Sequence, residues 1–317
     1  MTSKEFLEDS PMQLLAKSDG CVVYQAKNGS GDGTMTMYEV FPGVSLAYND
    51  YHMRDYNMSY TPRQSIFCID HCREGRMEYP TADGALSYME AGDLKLDRRL
   101  NHVGPFDFPL AHFHGITIFF ELPTAAESLP LEVRNFPVDL YALQQKFCAD
   151  GRPMVLRGAP TIEHIFSELY TVPLQIRQPY FKIKILELLL FLDALALPSN
   201  ETELPYFYKS QVEKVKGIER LITTELDSHF TLTELSARFD LPLTPLKACF
   251  KNVFGSPVNV YLRCCRMNRA AVLLRQSRSA SVAEIAGQVG YDSPSKFAAA
   301  FKAVMGKTPL EYRQGNG

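Results

Sequence analysis

The sequence lacks several features that mark secreted and membrane proteins. The first residues, MTSKEFLEDSPMQLL, contain no apolar stretch behind a basic cluster, which argues against a secretory signal peptide. The longest apolar run, residues 185–197, is interrupted by Glu187 and Asp193 and is too short to cross a bilayer. The seven cysteines are odd in number and lack CxxC spacing, which argues against a disulfide framework or a structural zinc site. We therefore predict a cytoplasmic protein without a membrane partner.

The net charge of the whole chain is also small, but its two parts carry large charges of opposite sign. The formal charge of −3 divides into −10 for residues 1–205, with 17 Lys and Arg against 27 Asp and Glu, and +7 for residues 206–317, with 16 against 9. A length of 317 residues is about twice that of a usual single domain. We predict an acidic domain over 1–197, a linker over 198–205 rich in Pro, Ser and Glu, and a basic domain over 206–317.

The first domain has the composition of short strands and turns. β-branched and aromatic runs alternate with Gly, Pro and Asp, and no helix-length segment separates them, which favours an antiparallel sandwich or small barrel. The predicted strands are Cys21–Ala26, Thr34–Phe41, Val44–Tyr48, Ser65–Cys72, Arg76–Tyr79, Ala85–Met89, Asp93–Leu96 and Gly115–Leu122. We expect a tight turn at Arg73-Glu74-Gly75 between two of them.

Three helices are predicted to follow, at 137–147, 161–170 and 179–196, each with a proline at or just before its start. The third carries apolar residues at steps of three and four, which form a broad apolar stripe. This stripe packs either within the domain or against a second subunit, and the sequence leaves both open.

The last third contains two similar segments. TLTELSARFDLPLTPLKACFKNVFGSPVNVYL begins at Thr231, and SVAEIAGQVGYDSPSKFAAAFKAVMGKTPLEYR begins at Ser281. In each, a glutamate (Glu234 or Glu284) follows the Ser or Thr by three residues, which is the capping-box spacing. Each then predicts a short helix, a turn and a second helix, which is a helix-turn-helix motif. Residues 258–275 lack Gly and Pro and predict one connecting helix of about 27 Å, long enough to hold the second helices about one DNA turn apart.

The residues of this region resemble a known family. FKNVFGSPVNVYLRCCRMNRAAVLL followed by VAEIAGQVGYDSPSKFAAAFKAVMGKTPLEYR is similar to the C-terminal signature of AraC/XylS-type transcriptional regulators. HCREGRMEY and SPSKFAAAFK look most like the branch that includes the siderophore-responsive pyochelin and yersiniabactin regulators.

This resemblance implies an α+β protein of two domains. The first would be a cupin-like β-barrel with helices that senses a small-molecule effector and forms a homodimer. The second would be an all-α domain with two helix-turn-helix motifs that binds double-stranded promoter DNA, with RNA polymerase as a further partner of an activator. No enzymatic activity and no cofactor are implied.

The second helix of each motif is the predicted recognition helix. Its core face is expected at Leu246, Cys249, Phe250 and Val253 in the first copy and at Phe297, Phe301 and Val304 in the second. The resemblance places Thr244, Lys247 and Ala248 at base-facing positions. The candidate DNA-binding residues are Thr244, Lys247, Ala248, Lys251, Ser295, Lys296, Ala299 and Lys302. Residues predicted to contact phosphates or to pair within the domain are Arg263, Arg266, Arg269, Lys302 and Lys307.

Two alternatives to base contact stay open. The lysines could lie on a solvated helix face, and the alanine-rich outer face of the second motif is compatible with a protein that acts through protein contacts.

Candidate effector-binding residues in the first domain are His71, Arg73, Arg76, His112 and His114. A second function class is a metal-dependent cupin enzyme fused to a helix-turn-helix domain. In an unbroken strand the imidazoles of His112 and His114 would share one face and could bind one metal ion. No glutamate follows at the usual cupin interval and the motif with a third histidine is absent, so we predict neither a metal nor catalytic residues.

Overall fold

The computed structural model describes residues 12–18, 20–57, 65–80, 85–98, 105–132, 135–149, 153–158, 160–197, 207–277 and 279–314. The chain divides into an N-terminal unit, Met1–Tyr206, and a C-terminal unit, Phe207–Gly317. The predicted linker, 198–205, lies outside the described residues. Within the described ranges, no helix is long and apolar enough to span a membrane.

The N-terminal unit is built on a curled antiparallel sheet, which confirms the predicted β architecture. The strands of the described residues are β1 Gln13–Ser18, β2 Cys21–Asn28, β3 Gly31–Phe41, β4 Val44–His52, β5 Asp55–Asn57, β6 Ile66–Pro80, β7 Leu86–Glu90, β8 Leu94–Asp97, β9 Pro105–Asp107, β10 Phe113–Glu121 and β11 Met154–Leu156. The main path of the sheet runs in the order β1-β2-β3-β4-β10-β6-β8-β11, while β5 pairs with β9 and β7 pairs with β6. Buried residues alternate along β2 and β3, as expected for strands that cover a core on one face.

The predicted turn at Arg73-Glu74-Gly75 is wrong, because β6 runs through it without a break. Cys72 pairs with Gly115 and Glu74 pairs with His114, so Arg73 is an extra residue in the ladder with β10, which is a β-bulge. Gly75 has a φ of +87°, and a Cβ there would lie 2.0 Å from the carbonyl oxygen of His112. Bulges and tight turns both favour glycine at positive φ, which explains why the sequence suggested a turn.

Four helices cover the sheet of the N-terminal unit: α1 Leu122–Glu132, α2 Leu140–Cys148, α3 Pro160–Thr171 and α4 Arg177–Ala194. The last three match the predicted helices with small shifts at their ends. For example, α2 begins after Asp139, whose carboxylate accepts hydrogen bonds from the amides of Tyr141 and Ala142, and not at Pro137. α1 was not predicted; it follows β10 directly and carries Pro123 in its first turn.

The apolar stripe of α4 faces the sheet. Its buried apolar residues belong to one core with side chains of β4, β6 and β10. Of the two alternatives for this stripe, the structure therefore supports packing within the domain. The opposite side of α4 leaves Ile183 62% and Leu190 45% exposed. Both faces of this helix are therefore apolar in part.

The C-terminal unit is helical, as predicted: α5 Lys209–Thr224, α6 Leu232–Arg238, α7 Leu243–Phe254, α8 Val258–Gln276, α9 Val282–Gln288, α10 Pro294–Met305 and α11 Pro309–Gln314. Both predicted capping boxes form, Thr231 with Glu234 and Ser281 with Glu284, so the first helix of each motif begins where the sequence indicates. The second helices end at Gly255 and Gly306, both in the left-handed conformation. The long connecting helix is α8.

The cores of the two motifs follow the predicted faces, with one correction. Phe297 and Phe301 are fully buried, but Val304 is 38% exposed and is not part of the core. Met305 packs against this core in its place. Steps of four residues continue from Phe297 through Phe301 to position 305, so the apolar stripe passes beside Val304.

Candidate nucleic-acid interface

The turns inside the two motifs have the same backbone conformation. Asp240 (φ +46°) and Gly290 (φ +73°) occupy corresponding positions and are both left-handed. Aspartate tolerates this conformation better than most residues. In the first turn, the hydroxyl of Ser236 donates to the carbonyl of Leu241 at 2.7 Å, and the ammonium of Lys214 lies 3.2 Å from the carboxylate of Asp240. These two contacts hold the turn of the first motif.

The α7 helix separates its buried and exposed residues as the sequence predicts. Its buried residues include Leu246, Cys249, Phe250 and Val253. The four candidate DNA-binding residues are all exposed: Thr244, Lys247, Ala248 and Lys251. Neither lysine forms an ion pair with a described residue, so both ammonium groups are available to an external anion. Contact with a base remains a prediction.

The α10 helix presents a similar but less polar surface. Its exposed candidates are Ser295, Lys296, Ala299 and Lys302, while Ala298 is half-buried. The hydroxyl of Ser293 caps the helix by accepting from the amide of Lys296 at 3.4 Å. Two lysines one helical turn or more apart thus lie on the solvent side of each recognition helix.

Arg266 has a structural position within the C-terminal unit. It is 8% exposed and lies in the middle of α8. Its guanidinium donates to the carbonyls of Leu226 at 2.8 Å, Ser228 at 2.8 Å and Gly290 at 3.4 Å, and it lies 5.8 Å from the ring of Tyr291. Arg266 therefore joins the segment before the first motif to the turn of the second. The other predicted phosphate contacts, Arg263, Arg269 and Lys307, are exposed.

Comparison with known families identifies this arrangement. A family described as a helix-turn-helix domain matches residues 235–315, from within α6 to beyond α11, and so includes both second helices and α8. The C-terminal unit is a helix-turn-helix domain of the AraC type. The helices α7 and α10, with their exposed lysines, are the second helices of the two motifs in this AraC-type domain.

Three similar proteins each match about a third of this chain or less. The F1 operon positive regulatory protein of Yersinia pestis is 41% identical over 68 residues, 22% of each chain. The transcriptional activator RhaR of Mannheimia succiniciproducens is 30% identical over 104 residues, 33% of this chain and 37% of RhaR. The C-terminal domain of the response regulator yesN from Fusobacterium nucleatum is 38% identical and matches 31% of this chain and 96% of that domain, with a TM-score of 0.29. The chain spans between about a fifth and two fifths of the two curated relatives.

In the N-terminal unit, three of the candidate effector residues meet at Tyr170, near the end of α3. The Tyr170 hydroxyl lies 3.3 Å from Nδ1 of His71, the guanidinium of Arg73 lies 4.6 Å from the ring centre, and the His114 ring lies 5.3 Å from it. His71 is 1% exposed, and its Nε2 lies 3.1 Å from the Glu163 carboxylate. Burial lowers the pKa of His71, and the hydrogen bond to Glu163 opposes this shift. No local sequence pattern pointed to Tyr170, because it lies 99 residues from His71.

The other two candidates have different partners. Arg76 is 4% exposed and pairs with the carboxylate of Glu90. The imidazole of His112 lies 3.5 Å from the carboxylate of Glu74, and its ring centre lies 4.9 Å from that of His52. Arg73 lies 3.7 Å from the same Glu74 carboxylate, so His112 borders the residues around Tyr170.

The unbroken strand that would place His112 and His114 on one face is not present. β10 begins at Phe113, so His112 lies before the strand, and the ladder is irregular between His114 and Gly115. The two imidazoles have different neighbours, His52 for one and Tyr170 for the other. The arrangement of two histidines that the cupin-enzyme alternative requires therefore lacks the unbroken strand on which it was based.

A chain of buried polar groups crosses the sheet of the N-terminal unit. The ammonium of Lys95, 1% exposed, lies 3.0 Å from the carboxylate of Asp70 and 2.8 Å from that of Asp97. The hydroxyl of Thr117 donates to Asp70 at 2.8 Å, and the amide of Asn49 donates to Thr117 at 3.0 Å. This cluster was not predicted, because its members lie on four separate strands.

Proposed function

We propose that the protein is a transcription regulator that binds promoter DNA through its AraC-type domain. The observation that carries this proposal is the pair of second helices, α7 and α10, each with exposed lysines, in two motifs that α8 joins within a unit of charge +7. Basic groups on such helices attract the phosphate backbone and bring base-reading side chains into the major groove.

The residues of α7 have distinct proposed roles. Lys247 donates to guanine O6 or N7, while Thr244 and Ala248 contact base edges or thymine methyl groups. In α10, Lys296 and Ser295 take the polar role, and Ala299 offers only apolar contact. Lys251, Lys302, Lys307, Arg263 and Arg269 contact phosphates, which contributes affinity and salt dependence but no sequence choice.

Replacing Lys247 or Lys296 by alanine is expected to weaken binding to the protein's own promoter region by about 1–3 kcal/mol each, because each variant loses a charge-assisted contact to a base. Gel-shift titration at one fixed salt concentration measures the effect. Lys27→Ala is the matched control, since Lys27 is an exposed lysine of the N-terminal unit and the same charge is removed. Equal affinities for all three variants would contradict base contact by the recognition helices.

For the N-terminal unit we propose a small-molecule effector that binds where Arg73, His114 and Tyr170 meet. Arg73 is exposed and His114 is half-buried, so a polar ligand can reach this cluster, whereas His71 and Arg76 are buried and support the structure. The effector acts if its affinity differs between two arrangements of the DNA-binding units.

This response is measured by footprinting the promoter with and without candidate effectors, including siderophores. A change in affinity or footprint is expected, and Arg73→Ala should remove the change without altering binding in the absence of effector. An identical footprint under every ligand would contradict the effector while leaving DNA binding intact.

The functional unit proposed is a homodimer that works in the cytoplasm, with RNA polymerase as a partner if it activates. The exposed apolar side chains of α4, Ile183 and Leu190, support a subunit contact at this helix. The length of the footprint bears on this point, because a dimer presents four recognition helices to the DNA and one chain presents two.

A further inference from the structure

Two histidines and an aspartate meet at one end of the sheet in the N-terminal unit. Asp50 and His52 lie two residues apart on β4 and so point to the same face. β4 pairs with β10 with Tyr51 opposite Phe113, which places His112, the residue before the strand, beside His52. The three side chains are therefore brought together by the register of two neighbouring strands.

The backbone around these residues is well anchored. β4 lies between β3 and β10 in the sheet and is hydrogen-bonded on both sides. The carbonyl of His112 accepts from the amide of Arg76 in β6 at 3.4 Å, which holds the segment before β10 against the sheet. The backbone hydrogen bonds of the sheet thus hold the three residues in position.

The side-chain atoms already lie close together. Nε2 of His52 is 3.1 Å from a carboxylate oxygen of Asp50, and one ligand atom from each of Asp50, His52 and His112 lies within 4.8 Å of the other two. A zinc ion with bonds of about 2.0–2.1 Å holds such atoms roughly 3–3.5 Å apart. The side chains of His52 and Asp50 are 62% and 51% exposed, so small rotations suffice to bring the three atoms to that spacing.

We propose that Asp50, His52 and His112 bind one divalent ion of a late first-row transition metal, such as Zn²⁺. Two imidazoles and one carboxylate suit zinc, nickel or cobalt far better than Mg²⁺ or Ca²⁺, which take oxygen ligands. The Glu74 carboxylate, 3.5 Å from Nε2 of His112, is placed to accept a hydrogen bond from a metal-bound water or to become a fourth ligand. This site lies outside the proposed DNA interface and does not depend on it.

The ion would connect two parts of the fold. His112 belongs to the segment between β9 and β10, whereas Asp50 and His52 belong to β4. His114, one of the residues around Tyr170, lies opposite Asp50 in the strand register. Metal binding would therefore restrain the strand end beside the proposed effector cluster.

The test is titration calorimetry of the full chain, freed of metal with a chelator, with Zn²⁺ in one series and Mg²⁺ in another. One Zn²⁺ per chain is expected, with no comparable heat from Mg²⁺. His52→Ala and His112→Ala should each weaken binding at least tenfold, because even the loss of an outer-shell partner costs about 10- to 100-fold. His229→Ala is the matched control, since His229 is 64% exposed and has one carboxylate, that of Asp292, at 3.9 Å.

The result that overturns the proposal is Zn²⁺ binding of equal affinity in His52→Ala, His112→Ala and His229→Ala, or no binding in the unsubstituted chain. A Co²⁺ spectrum provides the second readout, because thiolate charge-transfer bands would show that cysteines hold the ion, whereas their absence supports histidine and carboxylate ligands. Thermal melts of the metal-free variants check that each has folded. None of these measurements uses DNA, so failure of the metal site is distinct from failure of the proposed regulator.

Discussion

Arg266→Ala is expected to destabilise the C-terminal unit by about 3 kcal/mol, because the carbonyls of Leu226, Ser228 and Gly290 lose the buried donor they share. DNA affinity should fall as well, since Arg266 joins the start of the first motif to the turn of the second. Urea unfolding of the full chain followed by circular dichroism measures the stability of the helical unit, and gel shift measures the binding.

The control for this variant lies on the same helix. Arg269 is exposed, and Arg269→Ala should change stability by no more than about 0.5 kcal/mol. Arg266→Lys keeps the charge but cannot reach three carbonyls with one planar group, so an intermediate loss is expected. If Arg266→Ala and Arg269→Ala unfold at the same urea concentration, the bridging role assigned to Arg266 is wrong.

Lys95→Met is the second substitution with a large expected effect. It removes the buried ammonium that lies between the carboxylates of Asp70 and Asp97, and loss of one partner of a buried ion pair costs about 3–5 kcal/mol. Methionine has nearly the volume of lysine, so the change tests the charge and not the packing. The N-terminal unit should unfold at a lower urea concentration, with the C-terminal transition unchanged.

A double-mutant cycle separates this interaction from other effects of the substitution. Asp70→Asn combined with Lys95→Met should destabilise by at least about 1 kcal/mol less than the sum of the two single changes, because the double variant leaves no unpaired charge at this contact. Lys27→Met, at an exposed position of β2, should be nearly neutral. Strictly additive losses would mean that Lys95 and Asp70 do not stabilise each other.

The helical unit was predictable because its signals are local. The capping boxes at Thr231 and Ser281 lie within four residues of the helices they start, and the stripe through Leu246, Cys249 and Phe250 has the helical period. The exposed faces of α7 and α10 follow directly from these stripes. Val304, in the last turn of α10, was assigned to the wrong side.

The N-terminal unit was predictable in architecture but not in its sites. Strand runs could be read from composition, whereas the neighbours of a strand depend on pairings between distant segments, such as β10 with β4 and β6. Tyr170, Lys95 and the partnership of His52 with His112 all arise from such pairings. His112 was considered together with His114 because spacing along one strand can be read from a sequence, whereas the register between two strands cannot.

The bulge at Arg73 changes which residues of β6 face each core. Before it, the odd-numbered Phe67 and Ile69 belong to the core under the helices; after it, the odd-numbered Met77 and Tyr79 belong to the opposite core. A single extra residue therefore reverses the inside–outside parity of the strand. Cys72 and Glu74 pair with the consecutive residues Gly115 and His114, so β6 consists of two segments of opposite numbering phase joined without a loop.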